Sequence, residues 1–386
     1  MSFYQKPILI FLCCLLFNVF QTSVLQAQDS LAQKKLTITG DFRFRIEHDW
    51  HSRRPNGTFR DDRSRLRFRN RFGATYQYNK WASFGLRIRT GNLNDQQGPH
   101  LTLGGNGGEF STLQIGLEKA YFKAKHKGLS GWLGKNTFPF EKQNELFWND
   151  NVFPEGAFVK WNFPIASNWI NSVTIGASHF IITANNQTFG KDNYFQGIQF
   201  VTEHWGSRLK LFPAFYYFNQ VPTIPDGKST NLVTYGILHL GGTLKVLQQP
   251  NLVFGIDYYN NFEGKSITDE NQKEWINQHE GIVLGLKLGD LKKRGDWLAH
   301  LYYAHLKKYA VVDYFAQNDW ARWDYSGQGA TGSRLTNFQG VELRLGYAFG
   351  KNFNLILRAY SVEQLIAEGQ FLESGNRIRL DLDIGF

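Results

Sequence analysis

The 386-residue sequence has only two cysteines, Cys13 and Cys14, and both fall inside the apolar run Ile8–Phe17. That run follows Lys6 and precedes Leu25-Gln26-Ala27, the pattern of a secretory signal cleaved after Ala27. The chain that remains would carry no thiol, disulfide or cysteine metal site. Proline is sparse at 10, methionine occurs once, and no apolar run beyond residue 27 approaches the ~20 residues of a spanning helix. No HExxH, Walker loop or nucleophile elbow is present, and Gly104-Gly105-Asn106-Gly107-Gly108 has no helix after it to make a phosphate cradle. No residue set points to a metal or any other cofactor.

What is abundant is aromatic, glycine-rich and basic. Phe, Tyr and Trp number 33, 17 and 11, with 38 Gly, a composition that favours strands. Without the signal, 42 basic residues stand against 33 acidic ones, which suits anions or anionic lipid headgroups.

The clearest local pattern runs from Arg63 to Tyr78. Arginine recurs at every second residue, Arg63, Arg65, Arg67, Arg69 and Arg71, while Leu66, Phe68 and Phe72 fill positions between. On a strand the arginines form one column spaced roughly 7 Å apart, closer than the ~8 Å screening length of physiological salt. The other face is apolar. One such strand fits either a solvated sheet face over a core or the wall of a water-filled barrel.

The whole chain repeats the pattern. Leu36–Glu47 alternates, and Ser83–Arg89 follows a tight turn at 78–81. Further strands are expected near 113–126, 130–137, 155–163, 170–182, 193–204, 207–218, 231–247, 251–262, 279–289, 296–309, 337–349 and 351–363, with a last one from Arg377 to Phe386. Long loops at 48–62, 91–111, 138–154, 183–192, 219–230, 263–278, 310–335 and 364–375 alternate strictly with short turns. About sixteen strands with long loops on one side predict an all-β fold, a closed antiparallel transmembrane β-barrel with short periplasmic turns and long extracellular loops. The expected organisation is a signal peptide 1–27, a periplasmic leader 28–35 and a barrel 36–386.

The last strand agrees. Arg377, Arg379, Asp381 and Asp383 occupy one face; Ile378, Leu380, Leu382, Ile384 and Phe386 occupy the other. A charge on the lipid face near the midplane costs ~2–4 kcal/mol, so parity this pure fits a lipid-facing wall. Aromatics beside the short turns, among them Tyr78, Trp81, Trp161, Trp169, Trp205 and Tyr347, suit a headgroup girdle.

Several short motifs resemble the bacterial putative porin family: Gly40–Arg45, Arg60–Arg67, Arg87–Gly91, Asp150–Gly156, Lys293–Trp297 leading to Asp313, and Gly340–Leu343. The resemblance implies an outer-membrane diffusion channel of a Gram-negative bacterium, with no catalytic set. The terminal Phe386 resembles the signal by which barrel-assembly machinery recognises its clients. Outer-membrane lipid and lipopolysaccharide would be its surroundings, and small anionic or neutral solutes its cargo. Many such channels are homotrimers, but no flat contact patch is legible.

Strand parity places Arg43, Arg45, Arg65, Arg67, Arg69, Arg71, Arg87 and Arg89 on the inner face, and closure adds Arg344, Arg358, Arg377 and Arg379. Asp41, Glu47, Glu342, Asp381 and Asp383 interleave with them. The expected role of this wall is anion selectivity. Loop 138–154, with Glu141, Glu145 and Asp150 beside Phe138, Phe140, Phe147 and Trp148, is expected to enter the bore opposite the arginines. Two other readings compete. One is a barrel hydrolase, which needs a Ser/His or Asp/His cluster on the outer rim; His239 and Asp257 fall on neighbouring strands. The other is a secreted soluble polyanion-binding β-protein, although no nucleic acid is expected as a partner of the barrel.

Overall fold

The computed structural model describes residues 35–386 apart from 96, 106–109, 166, 168, 187, 223–231, 264–276, 322–335 and 368. The expected signal 1–27 and leader residues 28–34 lie outside the described residues. In chain order the strands are β1 (Leu36–Arg53), β2 (Arg63–Gln77), β3 (Ala82–Thr90), β4 (Leu101–Thr102), β5 (Ile115–His126), β6 (Leu129–Lys135), β7 (Glu155–Pro164), β8 (Ile170–Thr183), β9 (Asn193–His204), β10 (Leu209–Leu211), β11 (Ala214–Pro222), β12 (Leu232–Leu247), β13 (Leu252–Asn261), β14 (Glu280–Gly289), β15 (Trp297–Leu306), β16 (Phe338–Gly350), β17 (Phe353–Gln364) and β18 (Ser374–Gly385).

Two of these are fragments. β4 is a two-residue piece of the loop after β3, pairing with β2. β10 and β11 form one strand interrupted at Phe212-Pro213, where proline has no N–H for the ladder. Sixteen antiparallel strands therefore circle the molecule, and β18 pairs with β1 to close it. The last bonds of the seam run between Gly40 N and Phe386 O at 3.1 Å and between Phe386 N and Gly40 O at 3.0 Å. Among the described residues, closure leaves no open sheet edge.

Connections at 78–81, 127–128, 165–169, 205–208, 248–251, 290–296 and 351–352 are short, and those between them are long. Lys127, Trp205 and Asn352 take φ of 51°, 51° and 58°, which such tight reversals require. The outer face is apolar: Phe42 and Ile46 on β1, Leu66 and Phe72 on β2, Leu86 on β3 and Leu343 on β16 are all exposed. Trp81, Trp161, Trp169, Trp205, Trp297 and Tyr347 are exposed beside the short turns. An apolar surface of this extent needs hydrocarbon against it, with the rings at its margin.

The hydrophobic core lies inside the barrel. Phe158, Phe180, Phe195, Tyr216, Phe218, Ile237, Tyr259, Val283 and Tyr302 point inward from β7–β15, and two loops fill the space between them. The loop after β6 contributes Phe138, Phe140, Leu146, Phe147 and Trp148; the described start of the loop after β15 contributes Tyr309, Val311, Val312, Phe315 and Trp320. Trp148 is stacked between Phe138, at 4.3 Å, and Phe315, at 4.5 Å. Packing of this kind fills the middle of one half of the bore with buried rings.

Candidate functional site

The other half of the interior is charged, and strand register dictates how. Across the seam, Arg344, Arg358, Arg379, Glu47 and Arg65 form one lateral row on β16, β17, β18, β1 and β2. Arg43 stands opposite Arg69, Arg45 opposite Arg67, and Arg71 opposite Arg89. Like charges directly opposite are destabilising, so the wall needs anions between its arginines.

Carboxylates supply them. Glu342 holds Arg344 at 2.5 Å and also contacts Arg358. Asp381 lies 2.6 Å from Arg45, 3.2 Å from Arg379 and 3.8 Å from Arg43; Asp383 lies 2.5 Å from Arg43. Glu47 contacts Arg65 and, at 3.4 Å, Arg67, while Asp41 contacts Arg69. Glu118 gathers Arg87 at 2.5 Å, Arg71 at 3.2 Å and Arg89 at 3.6 Å. Asp49 bridges Arg377 at 2.5 Å and Arg63 at 2.8 Å. The twelve expected arginines thus all point inward onto eight acids, the last being Asp319, which contacts Arg379.

Loop 136–154 crosses from the aromatic half towards this wall. Its far side is tied down: Asn144 Nδ2 donates to Asp257 Oδ2 at 2.5 Å, Tyr302 Oη donates to the Gln143 carbonyl at 2.9 Å, and Gln199 Oε1 accepts from Glu141 N at 2.8 Å. Its near side reaches the charged half, where Arg71 Nη2 donates to Asn151 Oδ1 at 2.6 Å. Between loop and wall a cavity of about 360 Å³ remains, lined by Arg43, Arg45, Arg67, Arg69, Arg71, Arg344, Arg358 and Arg379 with Asp95, Glu145, Asp150, Asp319 and Asp381.

Glu145 and Asp150 therefore border the cavity, Asp150 with Lys142 at 2.5 Å. Glu141 lies elsewhere, on a separate cavity near the short turns, 3.6 Å from Lys210. His239 and Asp257 do meet, at 2.7 Å, but deep in the aromatic core, where Asp257 also holds Asn144. Several participants escaped sequence reasoning, Asp49 among them because β1 runs on to Arg53 through the start of the expected loop 48–62. Glu118 turns inward because a bulge shifts the β3–β5 register between Arg87 and Ile88. Asp319 arrives on a loop, which strand parity does not address. His100, also on a loop, lines the cavity; burial and then Arg45, Arg43, Arg69 and Arg67 push its pKa well below the usual histidine value.

A closed barrel of sixteen strands, apolar outside, with a charged and loop-narrowed interior, defines a porin-type channel. Residues 51–243, half the chain, match the model of the family described as putative porin, and the chain belongs to that family. No curated protein matches it. Solved structures similar to it include Pseudomonas putida OprB at high pH, with a TM-score of 0.55 and 13% identity over 96% of this chain and 97% of that one. Salmonella typhi OmpF in complex with daunomycin has a TM-score of 0.52 and 12% identity over 91% and 97%. A mutant of the Rhodopseudomonas blastica porin has 0.50 and 12% over 90% and 100%. At these identities the likeness is one of fold.

Proposed function

We propose that the chain is a passive outer-membrane channel for small hydrophilic solutes, with a bore that favours anions. The supporting observation is the cavity between loop 136–154 and the barrel wall, where eight guanidinium groups face five carboxylates. An excess of fixed positive charge in a narrow aqueous passage raises the local anion concentration and lowers that of cations. Arg67 and Arg69 lie centrally on this wall and are the natural targets for a test. Replacing both with Ala removes two positive charges and takes from Asp41 its contact with Arg69, while Glu47 keeps Arg65. In planar bilayers with a salt gradient, the reversal potential of the double variant should move towards the cation value. An unchanged potential would retire the anion-favouring reading. The apolar belt would meet outer-membrane lipid, and carbonate washing should leave the protein in the membrane pellet.

A further inference from the structure

Asp319 belongs to the loop after β15, yet its carboxylate is delivered to the barrel wall. It contacts Arg379 Nη1, lies 3.5 Å from Arg377 Nη1, and accepts from Gln317 Nε2 at 3.2 Å. Its backbone carbonyl accepts from the same Arg377 Nη1 at 3.0 Å. Burial alone would raise the carboxyl's pKa, but Arg379, Arg45, Arg358 and Arg377 together hold it well below the usual carboxylate range. The neighbouring acids Asp49, Glu342 and Asp381 are part of the strands and are each shared between two or three arginines. Asp319 differs from them in being brought by a loop, and it lines the cavity through which a solute would move.

We propose that Arg377 and Arg379 form a carboxylate-binding site that Asp319 occupies as an internal ligand, with Arg45 and Arg358 on the cavity wall nearby, and that carboxylate-bearing solutes compete with it in transit. This rests on the channel reading and names the solute class. The chemistry is legible because the occupant is itself a carboxylate, the group guanidinium forks match best. An internal competitor acts at an effective concentration in the millimolar range. It therefore weakens any solute's hold, and a channel must bind a solute firmly enough to admit it and loosely enough to release it.

The test uses the full chain in detergent, with isothermal titration calorimetry against succinate and against the neutral analogue succinamide. Asp319→Ala should bind succinate on the order of tenfold tighter than the unsubstituted protein, the loss of one charge-assisted competitor. Adding Arg379→Ala should abolish that gain, and succinamide should bind neither protein. Asp319→Asn, which keeps the volume and loses the charge, carries the test if the alanine variant fails to show the heat-modifiable gel shift of a folded barrel. Equal succinate affinity with and without the Asp319 carboxylate, or equal binding of succinamide, overturns the assignment. Calorimetry needs no ion flow, so absence of conductance in bilayers would count against the channel reading alone.

Discussion

Two devices hold loop 136–154 inside the bore, and their magnitudes predict which one matters. The polar device centres on Asp257, fully buried, which accepts from Asn144 of the loop and pairs with His239 of β12. A hydrogen bond to a charged group contributes about 1.5–3 kcal/mol net, so Asp257→Ala loses roughly that much of the loop's attachment. The apolar device is the wedge of Phe138, Phe140, Leu146, Phe147 and Trp148. Burial of such side chains contributes about 1.5–3 kcal/mol each, so the wedge supplies on the order of 8–15 kcal/mol. Removing the tether should leave the loop in place: Asp257→Ala lowers stability, because His239 and Asn144 stay buried without their acceptor, but single-channel conductance in planar bilayers stays near its starting value. Phe147→Ala combined with Trp148→Ala removes about 3–5 kcal/mol per ring and should free the loop, giving a larger and noisier conductance. If Asp257→Ala opens the channel as far as the double variant does, the polar tether governs the loop and the apolar account is wrong.

Three further outcomes are expected. Glu342→Gln leaves Arg344 and Arg358 facing each other in register without their shared carboxylate, and breaking a buried pair of this kind costs about 3–5 kcal/mol; thermal unfolding in micelles should show it, whereas a loss below about 1 kcal/mol would mean that lumen water screens the pair. Gly134 has φ +107° with the Ala120 carbonyl oxygen where a Cβ would lie, while a Cβ on Gly40 has the exposed ring of Phe386 as its nearest neighbour. Gly134→Ala should therefore impair folding yield and Gly40→Ala should not, because a ring can swing and a ladder carbonyl cannot; equal yields refute this. Burial and the surrounding arginines lower the pKa of His100 in the folded protein. An unfolded histidine takes up a proton below about pH 6.5, so stability should fall as pH drops through that value, at up to ~1.4 kcal/mol per unit. His100→Asn should flatten the slope between about pH 6.5 and 5 in melting curves, and an unaltered slope would assign it to another group.

The sequence displays the barrel wherever its two faces differ in chemistry. β2 and β18 alternate charge with aliphatic or aromatic residues, so their period and orientation follow directly, and the even number of strands follows from turn spacing. The interior of the opposite half was hidden for the converse reason. In Ala214-Phe215-Tyr216-Tyr217-Phe218 both faces are apolar or aromatic, so alternation carries no sign of which side meets lipid. Structure shows Tyr216 and Phe218 buried and Phe215 exposed. Inward aromatics make sense only with something apolar to pack against, and that partner comes from two loops far away in the chain. The charge balance of the wall was legible in part. Acids on the same strands as the arginines could be paired by register, whereas Glu118 needed the bulge and Asp319 needed the path of a loop, neither of which leaves a periodic trace.

Separation of the interior into an aromatic half and a charged half has a consequence for how such a channel can vary. Residues that fix the loop, such as Phe147 and Trp148, belong to the aromatic cluster and do not line this cavity; residues that fix its charge, such as Arg67 and Arg69, lie on β2, whose Arg71 meets the loop at Asn151, outside the wedge. Width and charge then respond to different substitutions. Packing errors among the buried rings of the aromatic half are costly because each ring is packed against several others, so width is less open to single substitutions. The wall is a lattice of arginines that outnumber their acids, and removing one arginine leaves the shared carboxylates with other partners: Glu118 keeps two after loss of any one of Arg71, Arg87 or Arg89. Combining Arg67→Ala and Arg69→Ala with Phe147→Ala and Trp148→Ala should therefore give the sum of their separate effects on reversal potential and on conductance. A marked departure from additivity would show that loop and wall are mechanically coupled.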